Sequence, residues 1–279
     1  MPTFRADLKS IKDINMKRVT GLGGVFFKAR NPQQMREWYS KHLGVPNMES
    51  YGGTFIWRKK EEPDQLGYTA WSVMDEQTDY YKPSESEFMI NYRVADLEGL
   101  LRVLSEEGIE LVGEVDKQDY GKFGWIMDPD GNKVELWEPV DEVYGGMLPE
   151  AQETTGVLGI GGVFMKSSNP KELRAWYKKH LEIPGTKEQG DFFEWGLNDE
   201  TQAPARTVWG PMDADTSYYD PSTKQLMINY IVRDLEGLMN RFRAAEIQVV
   251  GDIESYDYGK FGWIMDPEGN KIELWQPPF

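Results

Sequence analysis

The stretch DYGKFGWIMDP occupies residues 119–129, and the same eleven residues return at 257–267. Each copy continues through a Gly-Asn-Lys turn into an apolar segment, VELWEP at 134–139 and IELWQP at 272–277. A Pro-acid-Gly-Asn turn between two runs rich in aromatic and β-branched residues predicts a β-hairpin. The repetition predicts that one chain builds this hairpin twice.

The repetition extends far beyond the hairpin, because the chain matches itself without a gap at an offset of 138 residues from Val19 to Pro139. A period of this length indicates a duplicated domain, since solenoid repeats span about 20–50 residues. The segment between the copies is rich in Pro, Gly, Glu and Thr, which is typical of a linker. We therefore predict an N-terminal tail (residues 1–18), a first domain (19–139), a linker (140–156) and a second domain (157–279).

The sequence of each copy predicts a strand, a helix and further strands, in that order. This pattern occurs twice within each copy. Asn31 before Pro32 predicts a helix start, because Asn caps free backbone N–H groups and Pro fits the first turn. Asp96 predicts the cap of a second helix, which Gly108 ends. We therefore predict an α+β fold of two tandem domains, each made of paired βαβββ units.

Composition narrows the class of partner. The 279 residues carry a formal charge of −16, so their surface repels phosphate backbones and acidic lipids. No Cys is present, which removes disulfides and thiolate chemistry. The first eighteen residues mix charges throughout and do not resemble a signal peptide. We expect a cytoplasmic protein with a small-molecule ligand and with neither nucleic acid nor membrane as partner.

The paired units, the Asn-Pro helix start, RVADLEGL at 93–100 and DPDGNKVELWEP at 128–139 together resemble the vicinal oxygen chelate (glyoxalase/bleomycin resistance/dioxygenase) superfamily. The resemblance covers both copies. It implies that the strands of two units curl into a half-barrel around a cavity, where a divalent metal commonly binds the substrate. The implied metal-ligand positions fall on Gly24, Met89 and Glu135, and on Gly162, Met227 and Glu273.

Only the glutamates at these positions suit a hard or borderline divalent cation, since Gly has no side chain and Met offers a soft thioether. The two histidines, His42 and His180, fall in the first predicted helix of each copy, where packing at the helix end is the expected role. We predict no metal site and no cofactor. The alternative is a Mg²⁺ or Ca²⁺ site built from other oxygens, or a metal site with unrecognised ligands.

Strand alternation predicts what surrounds each glutamate, because residues two apart share one face. Gly24 has two interpretations: the missing side chain makes room for a larger ligand, or Gly23 and Gly24 only bend the strand. The residues predicted to contact a ligand are Phe26, Met89, Asn91, Tyr120 and Trp137 in the first copy and Phe164, Met227, Asn229, Tyr258 and Trp275 in the second.

A third shared segment reads MDEQTDYYKPS at 74–84 and MDADTSYYDPS at 212–222. It connects the last strand of one unit to the first strand of the next. Its tyrosines either line the rim of the cavity as hydrogen-bond donors or seal the edge of the sheet, and we favour the second interpretation.

These features predict a protein that binds a small aromatic or apolar molecule in metal-independent cavities, as the resemblance to antibiotic-sequestering (bleomycin-resistance-like) proteins implies. The first alternative is a metal-free isomerase- or lyase-like enzyme in which Glu135 and Glu273 act as catalytic acid or base. No second titratable group at a matching spacing accompanies them, so the sequence predicts no specific reaction. The further alternatives are a metal-dependent glyoxalase or dioxygenase and a pure interaction role. The duplication predicts a pseudo-dimeric monomer or a homodimer.

Overall fold

The computed structural model describes residues 18–48, 52–149, 156–186 and 190–278. Residues 1–17 of the predicted tail and 150–155 of the predicted linker therefore lie outside the described residues. Below, the first half denotes the described residues up to Pro139, and the second half denotes those from Val157 onward.

The first half contributes β1 (Val19–Ala29), α1 (Pro32–Leu43), β2 (Gly53–Lys59), β3 (Leu66–Asp75), β4 (Phe88–Val94), α2 (Leu97–Glu106), β5 (Leu111–Gln118), β6 (Gly121–Met127) and β7 (Lys133–Pro139). A short helix follows, α3 (Asp141–Gly146). The second half contributes β8 (Val157–Ser167), α4 (Pro170–His180), β9 (Gly185–Thr186), β10 (Gly190–Leu197), β11 (Pro204–Asp213), β12 (Leu226–Val232), α5 (Leu235–Ala244), β13 (Val249–Tyr256), β14 (Gly259–Met265) and β15 (Lys271–Gln276).

The predicted hairpin is present as β6–β7, and Asp128 orders its turn. Asp128 Oδ1 accepts hydrogen bonds from the backbone N–H of Asp130 at 3.0 Å and of Asn132 at 2.8 Å. Gly131 has the left-handed φ of 78° that glycine adopts without steric cost. Asp266 makes the same bonds between β14 and β15. One repeated sequence therefore fixes the register of both hairpins.

The strands of each half form one curled, mixed sheet, which confirms the predicted α+β class. The order is β2-β3-β1-β4-β7-β6-β5 in the first half and β10-β11-β8-β12-β15-β14-β13 in the second. β1 pairs antiparallel with β4, and β8 with β12, so both units of a half share one sheet. Among the described strands, the two sheets are joined only where β2 pairs with β10. Each half therefore builds its own sheet from its own two units.

The first unit of each half departs from a full βαβββ pattern. In the first half, α1 is followed by an isolated bridge between Met48 and Gly52 and then by β2 and β3. In the second half the corresponding strand, β9, has two residues and pairs with β10. The predicted linker also contains structure, because α3 lies within it and buries Tyr144.

The helix boundaries follow the predicted caps. The Asn31 side chain accepts from the backbone N–H of Gln34 at 3.1 Å, and Asp96 accepts from that of Gly99 at 3.0 Å. Beyond α2, Gly108 has a left-handed φ of 82°. No described helix combines the length and the apolar character that a membrane crossing requires.

Tyrosines on α1 and α4 reach the turn aspartates of the opposite half. The Tyr39 hydroxyl donates to Asp266 Oδ2 at 2.9 Å, and the Tyr177 hydroxyl donates to Asp128 Oδ2 at 2.9 Å. Burial raises the pKa of both aspartates. The apolar side chains around these bonds form one core that contains residues of both halves.

The histidines lie at the ends of α1 and α4, as the sequence predicts, and take no part in a shared site. His180 Nδ1 lies 2.6 Å from Glu107 Oε2, where Arg18 also binds. His42 packs beside Trp38, with ring centres 5.3 Å apart.

The bond between Tyr39 and Asp266 should stabilise the whole chain. We expect Tyr39→Phe to lower the free energy of unfolding by about 1.5–3 kcal/mol, because the buried aspartate loses a hydrogen-bond donor. Urea denaturation followed by tryptophan fluorescence measures the change. Tyr256→Phe, at a half-exposed tyrosine, is the matched control and should stay within about 0.5 kcal/mol. Equal losses in the two variants would contradict this role.

Candidate functional site

Glu135 is a buried carboxylate at the centre of the first half, with 2% of its surface exposed. Its Oε1 accepts a hydrogen bond from Asn91 Nδ2 at 2.6 Å. Its Oε2 accepts from the Tyr80 hydroxyl at 2.5 Å and from Trp125 Nε1 at 2.7 Å. We call these four residues the Glu135 site.

Strand register brings three of the four residues together. Glu135 on β7 lies directly opposite Asn91 on the parallel strand β4 and opposite Trp125 on the antiparallel strand β6. Residues directly opposite one another on neighbouring strands face the same side of the sheet. Tyr80 comes from the crossover between β3 and β4 and covers the carboxylate from above the sheet.

The second half repeats this arrangement at Glu273, which is also 2% exposed. Asn229 Nδ2 donates to Glu273 Oε1 at 2.7 Å, and Trp263 Nε1 donates to Oε2 at 2.9 Å. The Tyr218 hydroxyl donates to the same oxygen. We call these four residues the Glu273 site.

In each site a lysine contacts the tyrosine and the tryptophan that donate to the glutamate. Lys133 Nζ donates to the backbone carbonyl of Tyr80 at 2.8 Å, and it lies 5.3 Å from the Tyr80 ring centre and 5.0 Å from that of Trp125. Lys271 Nζ makes the corresponding bond to the carbonyl of Tyr218 at 2.7 Å. One ammonium group therefore holds both the crossover loop and the indole against the carboxylate.

Burial dominates the electrostatics of the Glu135 site. It raises the pKa of Glu135, although the hydrogen bonds from Tyr80, Asn91 and Trp125 act in the opposite direction. Burial and the nearby carboxylate also raise the pKa of Tyr80. Burial lowers the pKa of Lys133. A carboxylate offers about four acceptor positions, so three donors leave Glu135 with one unused position.

A cavity of about 380 Å³ opens beside Glu135. We call it the first cavity. Its remaining walls include Met74, Met147, Ser72, Asn91 and Asp116. The aromatic side chains that line it are Phe26, Tyr80, Tyr120, Phe123, Trp137 and Tyr144.

Four of the five residues predicted as ligand contacts in the first half line this cavity: Phe26, Asn91, Tyr120 and Trp137. The fifth, Met89, is fully buried behind Phe26 and Tyr81. Glu135, predicted as acid or base, also lines the cavity. Met89, predicted as a ligand contact, therefore lies behind the residues that line the cavity.

The predicted residues of the second half occupy different environments. Met227 is buried with Phe164 packed against the same cluster. Asn229 belongs to the Glu273 site, and the Trp275 indole donates to the Tyr258 carbonyl at 2.9 Å. The Tyr258 side chain is 59% exposed and stacks on another exposed tyrosine.

Helix α3 accounts for part of this difference, because it covers the first cavity. Tyr144 and Met147 line the cavity from this segment. Arg93 donates two hydrogen bonds of 2.7 Å to the Asp141 carboxylate and so anchors the helix. The position of Arg93 is taken by Ile231 in the second half, which has no equivalent anchor among the described residues.

Side chains of the protein lie against both paired glycines of β1. A side chain at Gly24 would lie 2.7 Å from the Phe26 ring, and one at Gly23 would lie 2.0 Å from Asn91 Oδ1. The pairing of β1 with β4 also shifts register between Leu22 and Gly24. The register shift supports the interpretation as a bend, and beside Gly24 the space is taken by the Phe26 ring.

The favoured interpretation of the shared segment, in which its tyrosines seal the edge of the sheet, is wrong for Tyr80 and Tyr218, which donate to the glutamates. Trp125 and Trp263 are the site residues that the sequence predictions missed. The expectation that no titratable group accompanies Glu135 was wrong, because Tyr80 contacts it directly. The pairing of Trp125 with Glu135 could have been found by counting outward from the hairpin turn. Lys122, another residue of the repeated stretch, binds Glu138 at 3.0 Å.

Comparison with known proteins supports the fold alone. No family profile and no curated protein sequence matches the chain. Among solved structures, the Mn(II)-bound glyoxalase from Novosphingobium aromaticivorans superposes with a TM-score of 0.57 at 15% identity, over 93% of this chain and 82% of the other. The 2,3-dioxygenase LapB from Pseudomonas sp. KL28 gives 0.58 at 14%, over 95% and 94%. A catechol 2,3-dioxygenase gives 0.54 at 16%, over 95% and 91%.

The chain has the vicinal oxygen chelate fold. That fold implies a divalent metal, so the residues at the implied ligand positions can be tested. Two of the three in the first half are Gly24 and Met89, and N–H and O–H groups already point at the third, Glu135. The described residues contain no group of three or more His, Cys, Asp or Glu able to hold a metal. This donor set does not fit the metal that the fold implies.

The raised pKa of Glu135 gives a pH dependence with a defined sign. Folded Glu135 binds its proton more tightly than the unfolded chain does, so its contribution to stability is full below about pH 4.5 and declines as the pH rises towards the folded pKa. Glu135→Gln cannot titrate. We expect the wild type to lose stability relative to this variant as the pH rises, by at most about 1.4 kcal/mol per pH unit.

Urea denaturation of both proteins between about pH 4 and pH 8 measures this difference. Glu114→Gln removes one exposed carboxylate from β5 and controls for the change in net charge. A wild type that instead gains stability over Glu135→Gln with rising pH would show that the hydrogen bonds, not burial, control the carboxyl group.

Proposed function

We propose that the first half binds a small aromatic or apolar molecule in the first cavity, without a metal ion. The observation that carries this proposal is that three donors hold Glu135 at the edge of a cavity that six aromatic side chains line. Apolar cavities with a few convergent polar groups are typical small-molecule sites. The volume of about 380 Å³ lies near the lower end of their usual range.

The hydrogen bonds of Glu135 support metal independence. A cation bound to Oε2 would meet the hydroxyl hydrogen of Tyr80 and the indole hydrogen of Trp125, both of which carry partial positive charge. Displacing them would remove two hydrogen bonds to the charged carboxylate from a partly buried site, a loss of about 1.5–3 kcal/mol for each at most. The protein thus already fills three of the about four acceptor positions of the carboxylate.

The Glu273 site repeats the buried carboxylate and its three donors in the second half. We propose that the halves act as two domains, over 19–139 and 157–279, of a pseudo-dimeric monomer. The charge of −16 supports a small molecule as the partner. We also propose that the protein is cytoplasmic.

Filling the first cavity should abolish binding. A panel of small neutral aromatic molecules, including indole and 2-naphthol, is screened by thermal shift, and we expect at least one to raise the melting temperature. Ala70→Trp, which places an indole in the cavity, should remove that shift.

Val208→Trp places the same side chain at the equivalent position of the second half and serves as the matched control. A ligand bound in the first cavity should still stabilise this variant. Stabilisation that persists in Ala70→Trp and disappears in Val208→Trp would show that the ligand binds in the second half. No stabilisation by any panel member would contradict the proposal.

Metal removal should leave binding unchanged. We expect protein treated with a chelator to bind the same panel members with affinities within about twofold of the untreated protein, a difference of about 0.4 kcal/mol. Elemental analysis of the purified protein is the companion measurement. Stoichiometric manganese, iron, nickel or zinc, lost together with binding, would favour a metal-dependent glyoxalase or dioxygenase instead.

One observation favours a second function, a metal-free acid–base enzyme. The bond of 2.5 Å between Tyr80 and Glu135 places two titratable groups side by side at the cavity. In such an enzyme Glu135 would take a proton from an acidic C–H of the ligand and return it to the same or another carbon atom. Exchange of ligand C–H for deuterium in heavy water, lost by about 100-fold or more in Glu135→Gln, would support this function over binding alone.

A further inference from the structure

We propose that the first cavity selects a positively charged ligand, an organic ammonium ion with an aromatic or aliphatic body. This inference rests on the proposed binding function and names the class of molecule that the cavity takes. Three independent features of its walls carry the inference: their charge, their unused hydrogen-bonding capacity and their aromatic faces.

The charged side chains that line the first cavity are both acidic. Glu135 lies at its base, and Asp116 is exposed on β5 at its edge. Two nearby cations are engaged elsewhere: Lys133 binds the Tyr80 carbonyl, and Arg93 binds Asp141. Lys133 compensates the charge of Glu135 only in part. An ammonium ion would pair directly with the carboxylate in this desolvated site, which a neutral or anionic ligand could not do.

The buried atoms that face the cavity with unused hydrogen-bonding capacity are acceptors. Glu135 keeps one acceptor position after binding its three donors. Asn91 Oδ1 is buried and has no hydrogen-bond partner among the described residues. This oxygen faces Gly23, which lines the same cavity. The Trp137 indole N–H also lacks a partner within the described part of the chain, but it faces Gly121, which does not line the cavity. A ligand that donates hydrogen bonds therefore matches the free groups.

The aromatic walls suit the same ligand. Ring faces carry partial negative charge and attract ammonium groups that lie within about 6 Å of the ring centre. Tyr120, Phe123, Trp137 and Tyr144 form a continuous aromatic cluster in which neighbouring ring centres lie 5.0–6.1 Å apart. This cluster provides an apolar surface for the body of the ligand beside the carboxylate that binds its charged end.

Matched probes separate charge from shape. 2-Phenylethylammonium, 2-phenylethanol and phenylacetate share one ring and differ in charge, and the corresponding indol-3-yl compounds form a second series. Titration calorimetry at low salt measures each affinity. We expect each ammonium probe to bind on the order of tenfold more tightly than its alcohol, and each carboxylate to bind more weakly than its alcohol.

Glu135→Gln keeps the size of the side chain and removes its charge. We expect this variant to bind ammonium and alcohol probes with affinities within about twofold of one another. Asp116→Asn, at an exposed position, tests the same charge preference without altering the buried site, and it should reduce the preference for ammonium by a smaller factor. Glu114→Gln, which removes an exposed charge outside the cavity, should leave the preference unchanged.

The outcomes distinguish this inference from the proposed function. Alcohols that bind as tightly as the ammonium probes, and that Ala70→Trp excludes, would overturn the charge preference and leave small-molecule binding intact. If the Glu135→Gln and Asp116→Asn variants bind the ammonium probes as tightly as each other, the inference is also overturned. If neither ammonium nor alcohol probes bind in either series, both the inference and the proposed function are wrong.

Discussion

The carboxylates of Asp128 and Asp266 are the groups on which the rest of the structure depends. Each one orders the turn of a hairpin with one oxygen and accepts a tyrosine hydroxyl from the opposite half with the other. The turn fixes the register of the hairpin, and the tyrosine fixes the helix of the other half against it. Local chain geometry and the assembly of the halves are therefore set by the same two side chains.

The register of the hairpin determines the chemistry of the site. Because Trp125 lies directly opposite Glu135, an indole N–H meets the carboxylate wherever the turn forms correctly. Asn91 on the other neighbouring strand completes the in-sheet contacts. The fold that in other proteins accompanies a bound metal, as in the Mn(II)-bound glyoxalase, here surrounds its carboxylate with hydrogen-bond donors. The site consequently offers an acceptor and aromatic surface to a ligand.

The features that the sequence predicts correctly are local ones. The hairpin turn and the caps at Asn31 and Asp96 each depend on atoms within a few residues, so residue type and spacing are sufficient. Tyr80 could not be placed in this way, because its loop is positioned by the distant Lys133. Helix α3 has six residues, too few for a periodic pattern, and it is held by the distant Arg93. The space at Gly24 depends on where the Phe26 ring turns, which alternation along a strand does not define.

The apolar core that contains residues of both halves has a consequence for their independence. A separate half would have to bury the same surface in another way, such as by pairing with a second identical molecule. Within one chain the halves can differ, as arginine at position 93 and isoleucine at position 231 do. Cutting the fused chain back into separate halves would expose the common interior to water. The shared core therefore ties the halves together while it leaves their sites free to differ.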